Sequence, residues 1–199
     1  MEKVTGSNAV IKSLLKEKVD TIFGYPGGAI MPIYDSLYEY KNKINHILVR
    51  HEQGAIHAAQ GYARAGKKCG VVFATSGPGA TNLITGLADA MIDSTPVVCI
   101  TGQVHSSLLG TDAFQETDVI GISMPVTKWN IQITNGKDIT WAIAKAFYIA
   151  NSGRPGPVLI DITKDAQFEE IEFSYNYCNK IRSYYPLPKM NYSLIKNAS

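Results

Sequence analysis

One glutamate stands where its carboxyl could take part in proton transfer. Glu52 directly follows an apolar run that ends at Arg50, and it opens a segment whose apolar positions are mostly alanine. At a strand-to-helix turn of an open sheet, such a carboxyl points into the ligand crevice, where a general acid or base is useful. A simpler interpretation is that Glu52 only complements the positive end of the following helix, and position alone favours it.

Three turns rich in glycine follow the first three predicted strands. They read Gly24-Tyr-Pro-Gly-Gly28, His51-Glu-Gln-Gly54 and Ser76-Gly-Pro-Gly79. Glycine admits close approach of another molecule and proline stiffens a turn, although strand-to-helix turns use both residues for structural reasons alone. Because the carboxyl ends of parallel strands share one edge of the sheet, we expect the three turns to meet there.

The motifs that usually bind phosphate or metal are missing from the sequence. Neither GxGxxG nor GxxxxGK[ST] occurs, so a cofactor bound here would have its phosphates held elsewhere. His51 and His57 are six residues apart, which does not place them on one helical face. We therefore predict no metal ligands in this chain.

A second polar segment, Asp112-Ala-Phe-Gln-Glu116, follows the fourth predicted strand and the loop from Gly102 to Gly110. Gln115 could hydrogen-bond a small polar substrate, and Phe114 could shield that substrate from water. Composition alone also fits a helical turn capped by Asp112. We interpret Asp161-Ile-Thr-Lys-Asp165 as the exit of the last strand rather than as a site.

Short β-branched runs must position these residues. Most of the runs are continuous rather than alternating, which is typical of strands covered on both faces. The predicted strands are Asp20–Phe23, His46–Arg50, Gly70–Thr75, Pro96–Thr101, Thr127–Ile133 and Pro157–Asp161. Segments with apolar residues three and four apart lie between them, at 30–38, 55–63 and 139–150. This order predicts an α/β fold, an open doubly wound, mostly parallel sheet with helices on both faces.

Composition excludes several classes of protein. The 199 residues carry 19 Lys+Arg and 17 Asp+Glu without a long run of one sign, which gives no support for nucleic-acid binding or a polybasic membrane patch. Three scattered cysteines predict neither a disulfide framework nor a zinc knuckle, and favour a reducing compartment. With no membrane span and no apolar run at the start, we expect a cytoplasmic protein.

The character of the sequence changes after Asp165. The rest is rich in glutamate, tyrosine and asparagine and has no clear period. We therefore predict one compact domain over residues 1–168 and a linker toward another domain over residues 169–199.

Five segments together resemble the large, catalytic subunits of the acetolactate synthase (acetohydroxyacid synthase) family of thiamine-diphosphate enzymes. These segments are Gly24–Ile30, Arg50–Gly54, Gly61–Ala65, Thr75–Leu83 and Gly110–Glu116. The resemblance runs from about Val4 to Asp165. The segment Gly-Thr-Asp-Ala-Phe-Gln-Glu favours this family over pyruvate oxidases, glyoxylate carboligases and benzoylformate-type decarboxylases.

The resemblance implies a pyrimidine-binding domain of a three-domain subunit. In the family, a middle domain helps to hold FAD, and the last domain binds the diphosphate and Mg²⁺. The hallmark of that last domain, Gly-Asp-Gly followed by Asn-Asn, does not occur here. We therefore expect an N-terminal part that is inactive when isolated.

The resemblance also implies a role for each site residue. Glu52 would hydrogen-bond N1′ of the aminopyrimidine ring and so promote the tautomer whose nitrogen removes the thiazolium proton. Phe114 and Gln115 match groups near bound pyruvate. Arg154 matches an arginine that contacts FAD, although without the resemblance it would be assigned to a surface helix end. The positions that match the pyrimidine pocket are Pro26, Gly28, Thr75, Pro78 and Asn82.

The activity implied is the decarboxylation of pyruvate and the condensation of the product with a second pyruvate or with 2-oxobutanoate. The products, 2-acetolactate and 2-aceto-2-hydroxybutanoate, lead to branched-chain amino acids. Since the family's glutamate reaches cofactor bound by another subunit, the resemblance implies a homodimer or homotetramer and allows a small regulatory subunit. The alternatives are another thiamine-diphosphate decarboxylase or oxidase, and a binding module without catalysis.

Overall fold

The computed structural model describes residues 2–187 and 190–198. In the described part of the chain the strands are β1 (Lys3–Thr5), β2 (Thr21–Gly24), β3 (Asn45–Leu48), β4 (Gly70–Ala74), β5 (Val97–Gln103), β6 (Trp129–Ile133), β7 (Val158–Thr163) and β8 (Glu170–Glu172). The α-helices there are α1 (Gly6–Lys16), α2 (Met31–Glu39), α3 (Glu52–Gly66), α4 (Pro78–Thr81), α5 (Ile84–Ile92), α6 (Val119–Ser123), α7 (Ile139–Asn151), α8 (Lys164–Phe168) and α9 (Tyr192–Ala198). Short 3-10 helices occupy Ser106–Leu108, Met124–Val126 and Gly136–Asp138.

Six strands form one parallel sheet in the order β3-β2-β4-β5-β7-β6. Each predicted strand overlaps one of these six, with ends that differ by up to two residues. The predicted fold class is confirmed.

Successive residues of the central strands face two separate cores, which explains why the β-branched runs are continuous. Val71 and Phe73 of β4 pack with α1, α2 and α7, whereas Val72 and Ala74 pack with α3 and α5. Both faces of β4 are therefore covered, and no polar alternation appears in its sequence.

The order of the strands locates a ligand crevice. The chain runs from β2 outward to β3 and then crosses back to β4, which lies on the other side of β2. Beyond the carboxyl ends of two such strands, the connections lead to opposite faces and leave a gap. The end of β2 at Gly24 pairs with Phe73 of β4, so this gap lies just past those two residues.

Strand β7 continues beyond the predicted strand end at Asp161. It reaches Thr163 because β5 pairs with it as far as that residue, and β6 pairs with it as far as Ile162. The strand thus ends within the segment 161–165 that was predicted as its exit, and Asp161 itself is a completely buried strand residue. Local composition does not show how far a neighbouring strand extends.

The chain keeps contact with the sheet unit after the predicted division at residue 168, which stays a prediction. Strand β8 pairs antiparallel with β1, with Ile171 opposite Val4. Ile171 is buried in the core that contains α1 and α7. The Gly6 N–H also donates to the Glu169 carbonyl at 2.8 Å. Of the predicted linker, Pro188, Lys189 and Ser199 lie outside the described residues.

Within the described ranges, no helix combines the length and the apolar character that crossing a bilayer requires.

Candidate functional site

The first turn of α3 places Glu52 at the crevice. His51 caps the helix in an extended conformation, and its Nδ1 accepts the Gln53 N–H at 3.1 Å. This cap satisfies one of the free N–H groups of the first turn and makes Glu52 the first helical residue. Ala55 and Ala59 are completely buried against the sheet, so the small side chains bring the helix close to it.

Glu52 is 7% exposed, and one of its side-chain oxygens is held in place. Oε2 accepts a hydrogen bond from Asn82 Nδ2 at 2.9 Å. Asn82 directly follows α4, so this bond joins the turn after β3 to the turn after β4. Among the described residues, no hydrogen bond reaches Oε1. A ligand that hydrogen-bonds to this oxygen would complete the partners of the carboxyl.

Gly79 lets the Glu52 carboxyl lie against α4. A Cβ at this position would stand 3.2 Å from Glu52 Oε1 and 2.7 Å from Thr75 Cγ2. The second distance is shorter than normal side-chain contact allows, so only glycine fits without a shift of Thr75. The glycine predicted in this turn therefore serves a close approach between side chains of the site.

Thr75 connects the turn after β4 to the turn after β2. Its Oγ1 accepts the Ala29 N–H at 3.3 Å, and Thr75 is buried beside the crevice. Together with the bond between Glu52 and Asn82, this contact brings the three glycine-rich turns to one edge of the sheet, as predicted. Pro26, Gly28 and Pro78 are exposed in these turns. Their roles as cofactor contacts stay predictions.

The segment Gly110–Glu116 lies against the turn after β4. Gly77 has φ +53, and a Cβ there would stand 2.6 Å from the Gln115 carbonyl oxygen. Gln115 itself has φ 59, and Phe114 is 87% exposed. The two predicted substrate residues are therefore brought to the same edge as Glu52, with their side chains on the surface.

The alternative of a helical turn capped by Asp112 is wrong. Asp112 has φ 55, which a helix cap does not adopt. The next helix, α6, is capped by Asp118, whose Oδ1 accepts the Gly121 N–H at 2.9 Å. The helix is thus capped by an aspartate, as in this alternative, but the aspartate is Asp118, six residues after Asp112.

Arg154 lies at the opposite edge of the sheet from Glu52. It precedes the amino end of β7, and its Nε donates to Ser94 Oγ at 2.7 Å. Its terminal nitrogen Nη2 donates to the carbonyls of Met91 and Ile92, at the end of α5. The structure thus does not bring Arg154 together with the other predicted cofactor residues, and its contact with FAD stays a prediction.

Two buried polar groups were not found from the sequence. Tyr34 packs edge-on against Phe73, and burial together with the charge of Glu52 raises the pKa of its hydroxyl. Asp161 accepts hydrogen bonds from Thr101, Gln103 and Gln132, and burial raises the pKa of its carboxyl. The available signal for Asp161 was the presence of polar residues inside otherwise β-branched strands.

In the described part of the chain, no group of three or more His, Cys, Asp or Glu side chains is arranged to hold a metal ion.

Comparison with known proteins gives one matching family. The sequence profile described as "Thiamine pyrophosphate enzyme, N-terminal TPP binding domain" matches residues 4–122. TPP, or thiamine pyrophosphate, is thiamine diphosphate. The match includes Glu52, Thr75, Asn82 and Gln115, and it leaves Arg154 outside.

Curated relatives match nearly the whole chain. The acetolactate synthase large subunit of Corynebacterium glutamicum is 59% identical over 172 residues, which are 86% of this chain and 27% of the relative. The acetolactate synthase of Mycobacterium bovis is 53% identical over 199 residues, or 100% of this chain and 32% of the relative. The large subunit of Cyanidium caldarium is 54% identical over 93% of this chain and 32% of the relative. The chain thus spans about a third of the length of these relatives.

Proposed function

We propose that this chain, which belongs to the thiamine pyrophosphate enzyme family as an N-terminal TPP binding domain, forms the first part of an acetolactate synthase large subunit. The observation that carries the proposal is the Glu52 carboxyl. It is buried where three turns meet, one oxygen is held by Asn82, and the other is left to a ligand. Residues 1–168 would be the pyrimidine-binding domain, and residues 169–199 would lead to the next domain.

The residues at the crevice fit the aminopyrimidine ring of thiamine diphosphate. A flat, partly polar ring needs a carboxyl at one ring nitrogen and a backbone that allows close approach. Glu52 supplies the carboxyl, and Gly79 and Thr75 form the adjacent wall. The crevice has no phosphate-binding motif, which fits a site that holds only the ring end of the cofactor.

When bound, thiamine diphosphate supplies the nucleophilic carbon and the electron sink for the chemistry of 2-oxo acids. Glu52 would share a proton between its carboxyl and a nitrogen of the bound ring. Asn82 keeps the carboxyl oriented through Oε2, so that Oε1 is the oxygen that shares the proton. The low exposure of Glu52 keeps water from competing for that hydrogen bond.

The proposed reaction condenses two molecules of pyruvate, or pyruvate and 2-oxobutanoate, with loss of CO₂. Gln115 and Phe114 would contact the second substrate from the segment packed on Gly77. The products would enter the biosynthesis of branched-chain amino acids. The proposal includes Mg²⁺ and FAD, both bound mainly by parts of the subunit other than this chain, with Arg154 contacting FAD.

The site is proposed to be completed by a second copy of the subunit in a homodimer or homotetramer, to which a small regulatory subunit can bind. Apolar side chains on the open rim support this assembly: Phe114 is 87% exposed and Met31 is 54% exposed. Such side chains at the mouth of a site are typical of surfaces that a partner covers. All three cysteines are free, which supports a reducing, cytoplasmic location.

A chimera tests the proposed function. In the chimera, the part of this chain that matches the Corynebacterium glutamicum large subunit over 172 residues replaces the corresponding part of that subunit. The unaltered Corynebacterium subunit serves as the positive control. With thiamine diphosphate, Mg²⁺ and FAD supplied, we expect 2-acetolactate from pyruvate. Acetaldehyde or acetyl phosphate as the product would favour another decarboxylase or oxidase. A folded, inactive chimera would favour a binding module, and a chimera that does not fold would also contradict the proposal.

Glu52→Gln in the chimera tests the role of the carboxyl. Glutamine can still accept from Asn82 but cannot share a proton in the same way, so we expect turnover to fall by ~10²-fold or more. The matched control is Glu170→Gln, an exposed position on β8. Circular dichroism should show that both variants keep the fold. Unchanged turnover in Glu52→Gln would contradict the assignment.

A further inference from the structure

Gln103 has a side-chain amide whose orientation is determined by three hydrogen bonds. It is the last residue of β5 and is completely buried. Its Nε2 donates to the Thr117 carbonyl at 3.1 Å and to Asp161 Oδ2 at 3.1 Å. Its Oε1 accepts the Val104 N–H at 2.9 Å. Both ends of the amide are thus engaged.

Asp161 prevents this amide from flipping. It is completely buried on β7, and its Oδ1 accepts from Thr101 Oγ1 at 2.6 Å. Its Oδ2 accepts from both Gln103 and Gln132. A flipped Gln103 would turn its own oxygen toward the Asp161 carboxyl and the Thr117 carbonyl, and since a carbonyl cannot donate, two acceptors would face each other inside the protein. An unsatisfied buried pair of this kind is costly, so the observed orientation is strongly preferred.

The Thr117 carbonyl ends the segment that carries the predicted substrate residues. The segment closes on itself, because the Gly110 N–H donates to Glu116 Oε1 at 3.0 Å. Its Gln115 adopts φ 59, a conformation that a residue with a Cβ adopts only when contacts hold it there. The same Thr117 carbonyl also accepts the Val119 N–H, at the start of α6. Gln103 is therefore the side chain that joins the end of this segment to the central sheet.

We propose that Gln103, oriented by the buried Asp161, is a positioning residue that sets the segment Gly110–Thr117 and thereby places Gln115 and Phe114 against the substrate. This inference rests on the proposed function, since it assumes that Gln115 and Phe114 contact the second 2-oxo acid. Gln103 does not touch the substrate; it acts through the carbonyl of Thr117.

Gln132 provides a matched control within the same network. Its Nε2 donates to Asp161 Oδ2 at 3.0 Å, as Gln103 does at 3.1 Å. Among the hydrogen bonds of the described residues, Gln132 makes none to the segment Gly110–Thr117. Replacement of either glutamine removes one donor from the same carboxylate. Only replacement of Gln103 releases the segment.

The experiment compares Gln103→Met and Gln132→Met in the chimera described above. Methionine keeps the length of the side chain and removes the amide. For Gln103→Met we expect kcat/KM for pyruvate to fall by ~10- to 100-fold, the loss typical of misplacing a reacting partner by about an ångström. The dissociation constant for thiamine diphosphate should stay unchanged, because the crevice around Glu52 is untouched. For Gln132→Met we expect kcat/KM close to that of the unsubstituted chimera.

Hydrogen exchange gives a readout that does not depend on turnover. Amides of residues 110–117 should exchange faster in Gln103→Met than in Gln132→Met. If Gln103→Met does not fold, Gln103→Asn compared with Gln132→Asn gives the same test, because asparagine keeps a neutral amide and is one methylene too short to keep the bond to the Thr117 carbonyl.

The outcomes separate the two proposals. An unsubstituted chimera that forms no 2-acetolactate contradicts the proposed function. An active chimera in which the two methionine variants lose kcat/KM equally, or in which Gln103→Met loses none, overturns the positioning role of Gln103 alone. Equal exchange of residues 110–117 in both variants overturns it as well.

Discussion

At the scale of single residues, the placement of the Glu52 carboxyl depends on the small volume of Gly79. Glu52 is 7% exposed, and its Oε1 lies 3.2 Å from where a Cβ of Gly79 would stand. Asn82 fixes the other oxygen. An ordinary glutamate in the first turn of a helix keeps its carboxyl in water and serves only the helix dipole. The burial of Glu52 and its contact with Asn82 support the proposed role of the carboxyl at a ligand.

We expect Gly79→Ala to disturb the site, because Gly79 is buried beside Glu52. The added Cβ would meet Thr75 Cγ2 at 2.7 Å, so Thr75 or α4 must shift. We expect a loss of about 1–3 kcal/mol in the free energy of unfolding, together with reduced turnover in the chimera.

The matched control for that substitution is Gly61→Ala, on the exposed side of α3, where a Cβ would have no neighbour within 4 Å. Alanine favours a helix, so this variant should gain up to about 1 kcal/mol and keep its turnover. Urea unfolding and the 2-acetolactate assay measure both effects. Equal behaviour of the two alanine variants would refute the close approach at Gly79.

At the scale of elements, the segment that follows β7, the last strand of the parallel sheet along the chain, completes the sheet unit. Strand β8 pairs with β1 from the other end of the sequence, and Glu169 Oε2 accepts the Gly136 N–H at 2.6 Å. The Phe173 N–H donates to the Glu2 carbonyl at 2.9 Å. These contacts close the amino-terminal strand onto the unit, although composition alone predicts a linker there.

Ile171→Ala tests whether β8 is part of the stable unit. Ile171 is 8% exposed and packs in the core of α1 and α7, so its truncation should cost about 2–5 kcal/mol in the free energy of unfolding. The neighbouring Glu172→Ala is the control, since Glu172 is exposed and should change stability by less than about 0.5 kcal/mol. Urea unfolding of this chain measures both. A cost below that of the control would mean that β8 only rests on the surface.

At the scale of the whole molecule, the two edges of the sheet serve different purposes. The carboxyl edge carries Glu52 and the three turns, whereas the amino edge is held together by polar contacts between elements. There, Asp20 before β2 accepts hydrogen bonds from Lys68 and from Tyr62 of α3. These bonds lower the pKa of Asp20 from 3.8 to about 2, the bond from Lys68 contributing most.

Asp20→Asn should therefore change the response of this chain to acid. Because the folded pKa of Asp20 is lowered, its stabilisation is complete above pH 3.8 and is lost as the pH falls toward about 2. The free energy of unfolding should fall less steeply over this interval in the variant than in the unsubstituted chain. Solvent screening keeps the effect small, since the Asp20 side chain is 49% exposed.

Lys68→Met removes the main partner and should flatten the acid response only in part, because the hydrogen bond from Tyr62 to Asp20 remains. The double variant should add nothing to Asp20→Asn, since the carboxyl that Lys68 stabilises is then absent. Urea unfolding at a series of pH values measures all three. If the free energy of unfolding of Asp20→Asn changed with pH in parallel with that of the unsubstituted chain, the pair of Asp20 and Lys68 would not contribute to stability.

The pKa of Asp161 is shifted in the direction opposite to that of Asp20. Its pKa is raised by burial, so the stability linked to its protonated form is present below the unfolded pKa and is lost as the pH rises through the folded value. The folded chain keeps this carboxyl in spite of that cost. The positioning role proposed for Gln103 would give a functional reason for keeping it.

The amino-acid sequence by itself determined the parallel sheet, the glycine-rich turns at its carboxyl edge and the position of Glu52. Each depends on local properties: β-branched runs covered on both faces, helical spacing, and turn residues between them. Only the tertiary structure decided that Asn82 and Gly79 adjoin Glu52, that Asp161 lies inside a buried network, and that Arg154 lies at the opposite edge. These facts depend on strand order and on contacts between distant segments, which residue spacing along the chain does not specify.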